Sequence, residues 1–205
     1  MRVKICGITR LEDALICAKL GVDAVGFIFY KKSKRYISPE SASEIISKLP
    51  AFIQKVGVFV DEDPKIINQT AEKTGITIAQ LHGDEQPETI SQINIPVIKA
   101  FRVSLFFNYD ILYRYKKTPI LLDGYDSEEK GGTGKSFEWK KIPAELRSEI
   151  ILAGGVNETN VEKIAKEINP AAIDISSSVE ISPGIKDTNK LIKLMNKINQ
   201  LRYLC

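Results

Sequence analysis

Eight short runs of β-branched and aliphatic residues alternate along this chain with segments of helical periodicity, and that alternation leaves few folds open. The sequence predicts strands at Val3–Cys6, Ala24–Phe29, Lys55–Val60, Ile76–Leu81, Pro96–Phe101, Ile120–Asp123, Ile150–Ala153 and Ala172–Ile175. Helical patterns follow at Leu11–Leu20, Pro39–Lys48, Pro64–Lys73, Gln86–Ile93, Leu105–Tyr115, Ser136–Arg147, Glu158–Ile168 and Thr188–Leu201. Several strands are apolar almost throughout, as strands covered on both faces must be, which argues for a parallel sheet with crossover helices. Ser38 before Pro39 and Asp63 before Pro64 are N-caps with proline at the first helical position, and Gly21 and Gly75 stop two helices. A long polar, Gly-rich stretch over residues 124–135 precedes the sixth helical pattern. No linker or composition shift divides the 205 residues, so one domain is expected over 1–205. The same alternation would suit a doubly wound open sheet. The count of eight favours an α/β fold of the (β/α)8 TIM-barrel class, at the short end of its size range.

Composition narrows the partners. The formal charge of +3 is compatible with anionic small molecules. It falls short of a nucleic-acid footprint, because the densest basic cluster, Lys31-Lys32-Ser33-Lys34-Arg35, is one loop long. Three cysteines, at 6, 17 and 205, form no CxxC pair. That spacing argues against a disulfide framework and a zinc ribbon and fits a reducing compartment. The first residues already read as a strand rather than a leader, and no apolar run approaches the roughly 20 residues that span a bilayer. The expected setting is cytoplasmic, without membrane.

In a barrel, all eight strand ends surround one mouth, and there the chemistry is placed. Cys6 ends the first strand and Asp123 the sixth. They are the pair to explain, against the blander reading of a small buried thiol and a turn starter. The seventh and eighth ends, Ala153-Gly154-Gly155-Val156-Asn157 and Asp174-Ile175-Ser176-Ser177-Ser178, offer closely approachable backbone amides and following helix starts. The loops after strands 7 and 8 are this fold's usual phosphate site, so Gly154, Gly155, Ser176, Ser177 and Ser178 are candidate anion ligands. Gly131-Gly132-Thr133-Gly134-Lys135-Ser136 imitates a nucleotide P-loop, but Glu129 stands where that pattern needs glycine. It reads instead as a loop able to close near Asp123. Arg35 has the planar fork that suits a carboxylate, whereas Lys31, Lys32 and Lys34 read as solvated. The single histidine, His82, at the end of strand 4, cannot form a metal cluster and reads as structural or supporting; no metal site is expected.

These residues carry a resemblance. Lys4-Ile5-Cys6-Gly7-Ile8-Thr9, Val25-Gly26-Phe27, Ser33-Lys34-Arg35-Tyr36-Ile37, Gln80-Leu81-His82-Gly83, Ala153-Gly154-Gly155, Asp174-Ile175-Ser176-Ser177 and Pro183-Gly184-Ile185-Lys186-Asp187 resemble the phosphoribosylanthranilate isomerase family. The resemblance implies a cofactor-free (β/α)8 barrel of tryptophan biosynthesis. Its reaction is the Amadori rearrangement of N-(5-phosphoribosyl)anthranilate to 1-(2-carboxyphenylamino)-1-deoxyribulose 5-phosphate. It also implies Cys6 as general base, Asp123 as general acid and Arg35 as ligand of the anthranilate carboxylate. Ser178 departs from the family's usual glycine, and Glu138 from its common aspartate. The implied partner is a small phosphosugar-anthranilate, with a monomer or a homodimer equally compatible. The competing readings differ at named positions. The ProFAR isomerases of histidine biosynthesis place aspartate where Cys6 stands. Indole-glycerol-phosphate synthase calls for a lysine acid in the mouth, whereas Lys99 falls inside strand 5. A silent phosphate-binding barrel would not need Cys6, Asp123 and Arg35 together.

Overall fold

The computed structural model describes residues 1–115, 117–124 and 139–203. Eight strands, β1 (Arg2–Cys6), β2 (Ala24–Ile28), β3 (Gln54–Phe59), β4 (Ile78–Leu81), β5 (Val97–Val103), β6 (Ile120–Gly124), β7 (Ile151–Ala153) and β8 (Ala172–Ile175), pair in chain order. Every pairing is parallel, and β8 closes onto β1. The closed barrel, rather than the open sheet, is therefore the fold. The helices are α1 (Leu11–Lys19), α2 (Pro39–Ile46), α3 (Pro64–Thr74), α4 (Pro87–Ile90), α5 (Val161–Glu167) and α6 (Thr188–Tyr203). Ser38 caps α2 by accepting from the Ser41 amide, and Asp63 caps α3 by accepting from Lys65, as the Ser-Pro and Asp-Pro signals predict.

Three crossovers are less helical than their patterns suggest. The fourth shrinks to Pro87–Ile90, and the fifth is a 3-10 stretch at Tyr109–Tyr115. In the sixth, the described residues hold only short 3-10 turns at Trp139–Lys141 and Ala144–Leu146. Their apolar residues still reach the core: Leu112, Tyr115, Trp139 and Ile142 are buried. Covering a strand needs apolar contact, not a full α-helix. The sequence reading also missed a small antiparallel pair after β8, β9 (Glu180–Ser182) and β10 (Ile185–Lys186).

Two cores result from the pleat. The larger lies between strands and helices and includes Val3, Ile5, Val25, Phe27, Leu122, Leu152, Leu191 and Leu194. A smaller one, Ile98, Ala100, Leu121 and Ala153 with Ile78 and Ile151, lies on the opposite strand faces inside the barrel. That interior cluster draws on β4 to β7. On the other side the interior is polar: Lys4 of β1 and Asp174 of β8 are register partners and are buried. Among the described residues, no helix is long and apolar enough to cross a membrane.

Candidate active site

One cavity of about 280 Å³ opens at the carboxyl ends of the strands. Cys6, Arg35, Asp123, Gly154, Gly155, Ser176, Ser177 and Ser178, from strands and loops up to 172 positions apart, all line it, together with Gln80, His82 and Asp174. The structure thus brings every candidate site residue to one cavity. The Gly131–Ser136 loop, Glu129 and Glu138 lie outside the described residues.

Cys6 is 6% exposed, on the polar side of the barrel interior. Burial is the main influence on its thiol and pushes it above the ordinary range; the Lys4 ammonium pulls in the other direction. Arg35 reaches this wall from the loop after β2, while Lys31, Lys32 and Lys34 stay exposed. Its Nε donates to both oxygens of Glu180, at 2.9 and 3.0 Å, and a terminal nitrogen donates to Oε2 at 2.7 Å. Lys186 Nζ meets the same carboxylate at 2.7 Å and the Cys6 carbonyl at 2.6 Å. Glu180 therefore pins Arg35 and Lys186 together, and these two cations hold its carboxyl below the usual range despite burial. A guanidinium has five donors, so the Glu180 pairing leaves Arg35 further N–H groups for a second carboxylate.

Asp123 is set differently. Its side chain is 34% exposed, and His82 Nε2 lies 3.5 Å from its Oδ2. Gln80 Nε2 lies 3.1 Å from His82 Nδ1. With that amide donating, neutral His82 carries its proton on Nε2, facing Asp123. His82 is thus a wall residue of the cavity that supports Asp123. Lys99 is confirmed as an interior strand residue: it bonds Glu85 at 2.7 Å and the Gly83 carbonyl at 2.6 Å.

The seventh and eighth ends supply the amides. Gly154 and Gly155 have φ of +84° and +72°, a left-handed pair that L side chains rarely adopt. A Cβ on Gly154 would lie 2.4 Å from the Gly124 nitrogen, so this turn packs against the residue after Asp123. Ser176 precedes a 3-10 turn at Ser177–Val179, and Ser178 Oγ donates to the Val156 carbonyl at 2.6 Å, tying the two loops together. Glycine cannot make that bond.

Sequence reasoning missed Lys4, Asp174, Glu180 and Lys186. Lys4 and Asp174 carried a signal, charged residues inside otherwise apolar strands, with Lys4 two positions from Cys6 and so on the same face. Lys186 stood within the Pro183–Asp187 motif of the family resemblance but with no role attached, and Glu180 carried no signal short of the β9–β10 pairing.

The family model described as N-(5'-phosphoribosyl)anthranilate (PRA) isomerase matches residues 3–197. The chain belongs to the phosphoribosylanthranilate isomerase family. The phosphoribosylanthranilate isomerase of Geobacter sp. (strain M21) is 44% identical over 201 residues, covering 98% of each chain. A crystal structure of the isomerase from Thermotoga maritima superposes with a TM-score of 0.90 at 44% identity, covering 98% of this chain and 99% of that one. Another, of the isomerase in complex with reduced 1-(o-carboxyphenylamino)-1-deoxyribulose 5-phosphate, gives 0.87 at 41% identity, with 98% and 99% covered.

Proposed function

We propose that this chain carries out its family's isomerisation, within tryptophan biosynthesis, at the barrel mouth, with Asp123 as general acid and Cys6 as general base. One observation carries the assignment: both residues face a single cavity that also holds the fork of Arg35 and the paired amide loops after β7 and β8. Asp123 protonates the furanose ring oxygen as the C1–O bond breaks and the aryl nitrogen lone pair forms an iminium. The iminium acidifies the C2 proton, which the Cys6 thiolate removes. The resulting enaminol then tautomerises to the 1-amino-2-ketose. Each step moves only protons and electron pairs already held by the substrate and the two side chains, so the sequence calls for no redox or group-transfer cofactor.

The amides of Gly154, Gly155 and Ser176–Ser178 bind the phosphate, and Arg35, pinned by Glu180, receives the anthranilate carboxylate. All residues in this assignment come from one chain, so the chemistry is compatible with a monomer or a homodimer. A reducing, cytoplasmic setting suits a working thiol. The test is consumption of fluorescent phosphoribosylanthranilate by the purified protein, with sulfate as a competitor. Turnover that sulfate inhibits competitively supports the reading. A folded protein that leaves the substrate unchanged overturns it.

A further inference from the structure

Three lysines are buried beside carboxylates around this barrel mouth: Lys4 with Asp174 at 2.8 Å, Lys99 with Glu85 at 2.7 Å and Lys186 with Glu180 at 2.7 Å. An ammonium has three N–H groups to place. Lys99 gives the others to the carbonyls of Gly83 and Leu81, and Lys186 to those of Cys6 and Ser176. These two clamp backbone. Lys4 bonds no carbonyl among the described residues. The Cys6 side chain lies two positions along β1 on the same inward face, where the ammonium and the thiolate favour each other's charged forms. Gly26, the register partner of Cys6 on β2, makes this convergence possible, because a Cβ there would sit 2.8 Å from the Cys6 sulfur and 3.1 Å from Lys4 Cε.

The ion pair is also a poor structural device. Interior layers of such barrels are ordinarily filled by branched apolar side chains, as the β4–β7 side is here. A buried pair is seldom more stabilising than apolar packing of the same volume, and this one leaves Asp174 Oδ1 with no partner among the described residues.

We propose that Lys4 is a positioning residue for Cys6: Asp174 steers its ammonium beneath the sulfur, where it holds the thiolate ready to take the substrate's C2 proton. This rests on the reading of Cys6 as the base. The other cations near the sulfur contribute less. Lys186 also favours the thiolate, but its ammonium is bound to the Cys6 carbonyl and to Glu180, and the same Glu180 offsets part of the charge it shares with Arg35. Asp174, on β8, disfavours the thiolate by its own charge and favours it only through Lys4. Burial works against both the thiolate and the ammonium, and their attraction offsets part of that cost.

The test is the pH dependence of Cys6 alkylation by iodoacetamide in the unliganded protein, followed peptide by peptide. Alkylation reports the thiolate fraction without requiring turnover. Lys4→Met should slow Cys6 alkylation at pH 8 about tenfold, the effect of a one-unit rise in the thiol's midpoint. Its kcat should fall by a similar factor, with KM within about twofold of wild type. Because Lys4→Met leaves a buried, unpaired Asp174, the double variant Lys4→Met/Asp174→Asn removes both charges and is the safer fold. Its alkylation should lie between those of wild type and Lys4→Met. Wild-type alkylation profiles in both variants overturn the proposal and reduce Lys4 to a structural residue. Failure of the underlying reading looks different: Cys6→Ser would then keep normal turnover, whatever the alkylation profiles show.

Discussion

Cys6 and Asp123 face the same cavity from surroundings of opposite kind. Around Cys6 the barrel interior is closed and charged, with Lys4–Asp174 beneath it and Arg35–Glu180–Lys186 beside it. Around Asp123 the interior below is apolar, Ile98, Ala100, Leu121 and Ala153, and the carboxyl is a third exposed, with His82 as its neighbour. A thiol meant to act as a base needs cations close by, because burial alone favours its protonated form. A carboxyl meant to exchange protons with substrate and solvent needs access instead. The polarity of each half of the interior matches the proton-transfer role assigned to its rim.

Substitutions at the two rims test this division most severely. Cys6→Ser and Asp123→Asn should each lower kcat about 100-fold or more in well-folded protein, the ordinary scale of a lost proton transfer. Near-normal turnover in one of them would break the comparison on that side. The acid side also depends on backbone fit. Gly154→Ala forces a Cβ against Gly124 in a left-handed turn and should destabilise the protein by about 2 kcal/mol, roughly 30-fold in the folding equilibrium, measured by urea unfolding. On the base side, Arg35→Lys keeps the charge but loses the fork, and should lower kcat/KM about tenfold or more at any moderate salt concentration. The pH profile of Cys6 alkylation in the unliganded wild type sharpens the same side. Only the thiolate reacts, and burial lifts the thiol above the ordinary value near 8.5, so the alkylation rate should climb by up to about tenfold per unit and still be rising beyond that pH. A plateau by pH 7 would mean that the local cations outweigh burial. The smallest effect belongs to Lys32→Ala, an exposed loop cation, at about twofold or less and fading with added salt.

The local code of the fold was open to reading residue by residue. Apolar runs bounded by turn residues located all eight strands within about two residues, because a strand buried on both faces is mostly apolar. Caps at Ser38 and Asp63 could be read because their mechanism is local, one side-chain oxygen and one nearby amide. Helicity of the fourth to sixth crossovers could not. Residues such as Leu112 and Tyr115 show the right spacing, yet they satisfy the core equally from a 3-10 turn.

The candidate site divides along the same line. Cys6, Asp123, the glycine and serine loops and Arg35 could be named from position, because a barrel sends every strand end to one mouth. Tertiary structure alone decided what surrounds them. Barrel closure sets Lys4 against Asp174 across 170 residues, and the β9–β10 pairing delivers Glu180 to Arg35 across 145. Sequence order carries no record of such distances. Charge on a titrating group depends on what lies within a few ångströms of it, so the candidate reacting groups were legible in the sequence, and their electrostatic setting was decided by the closed barrel.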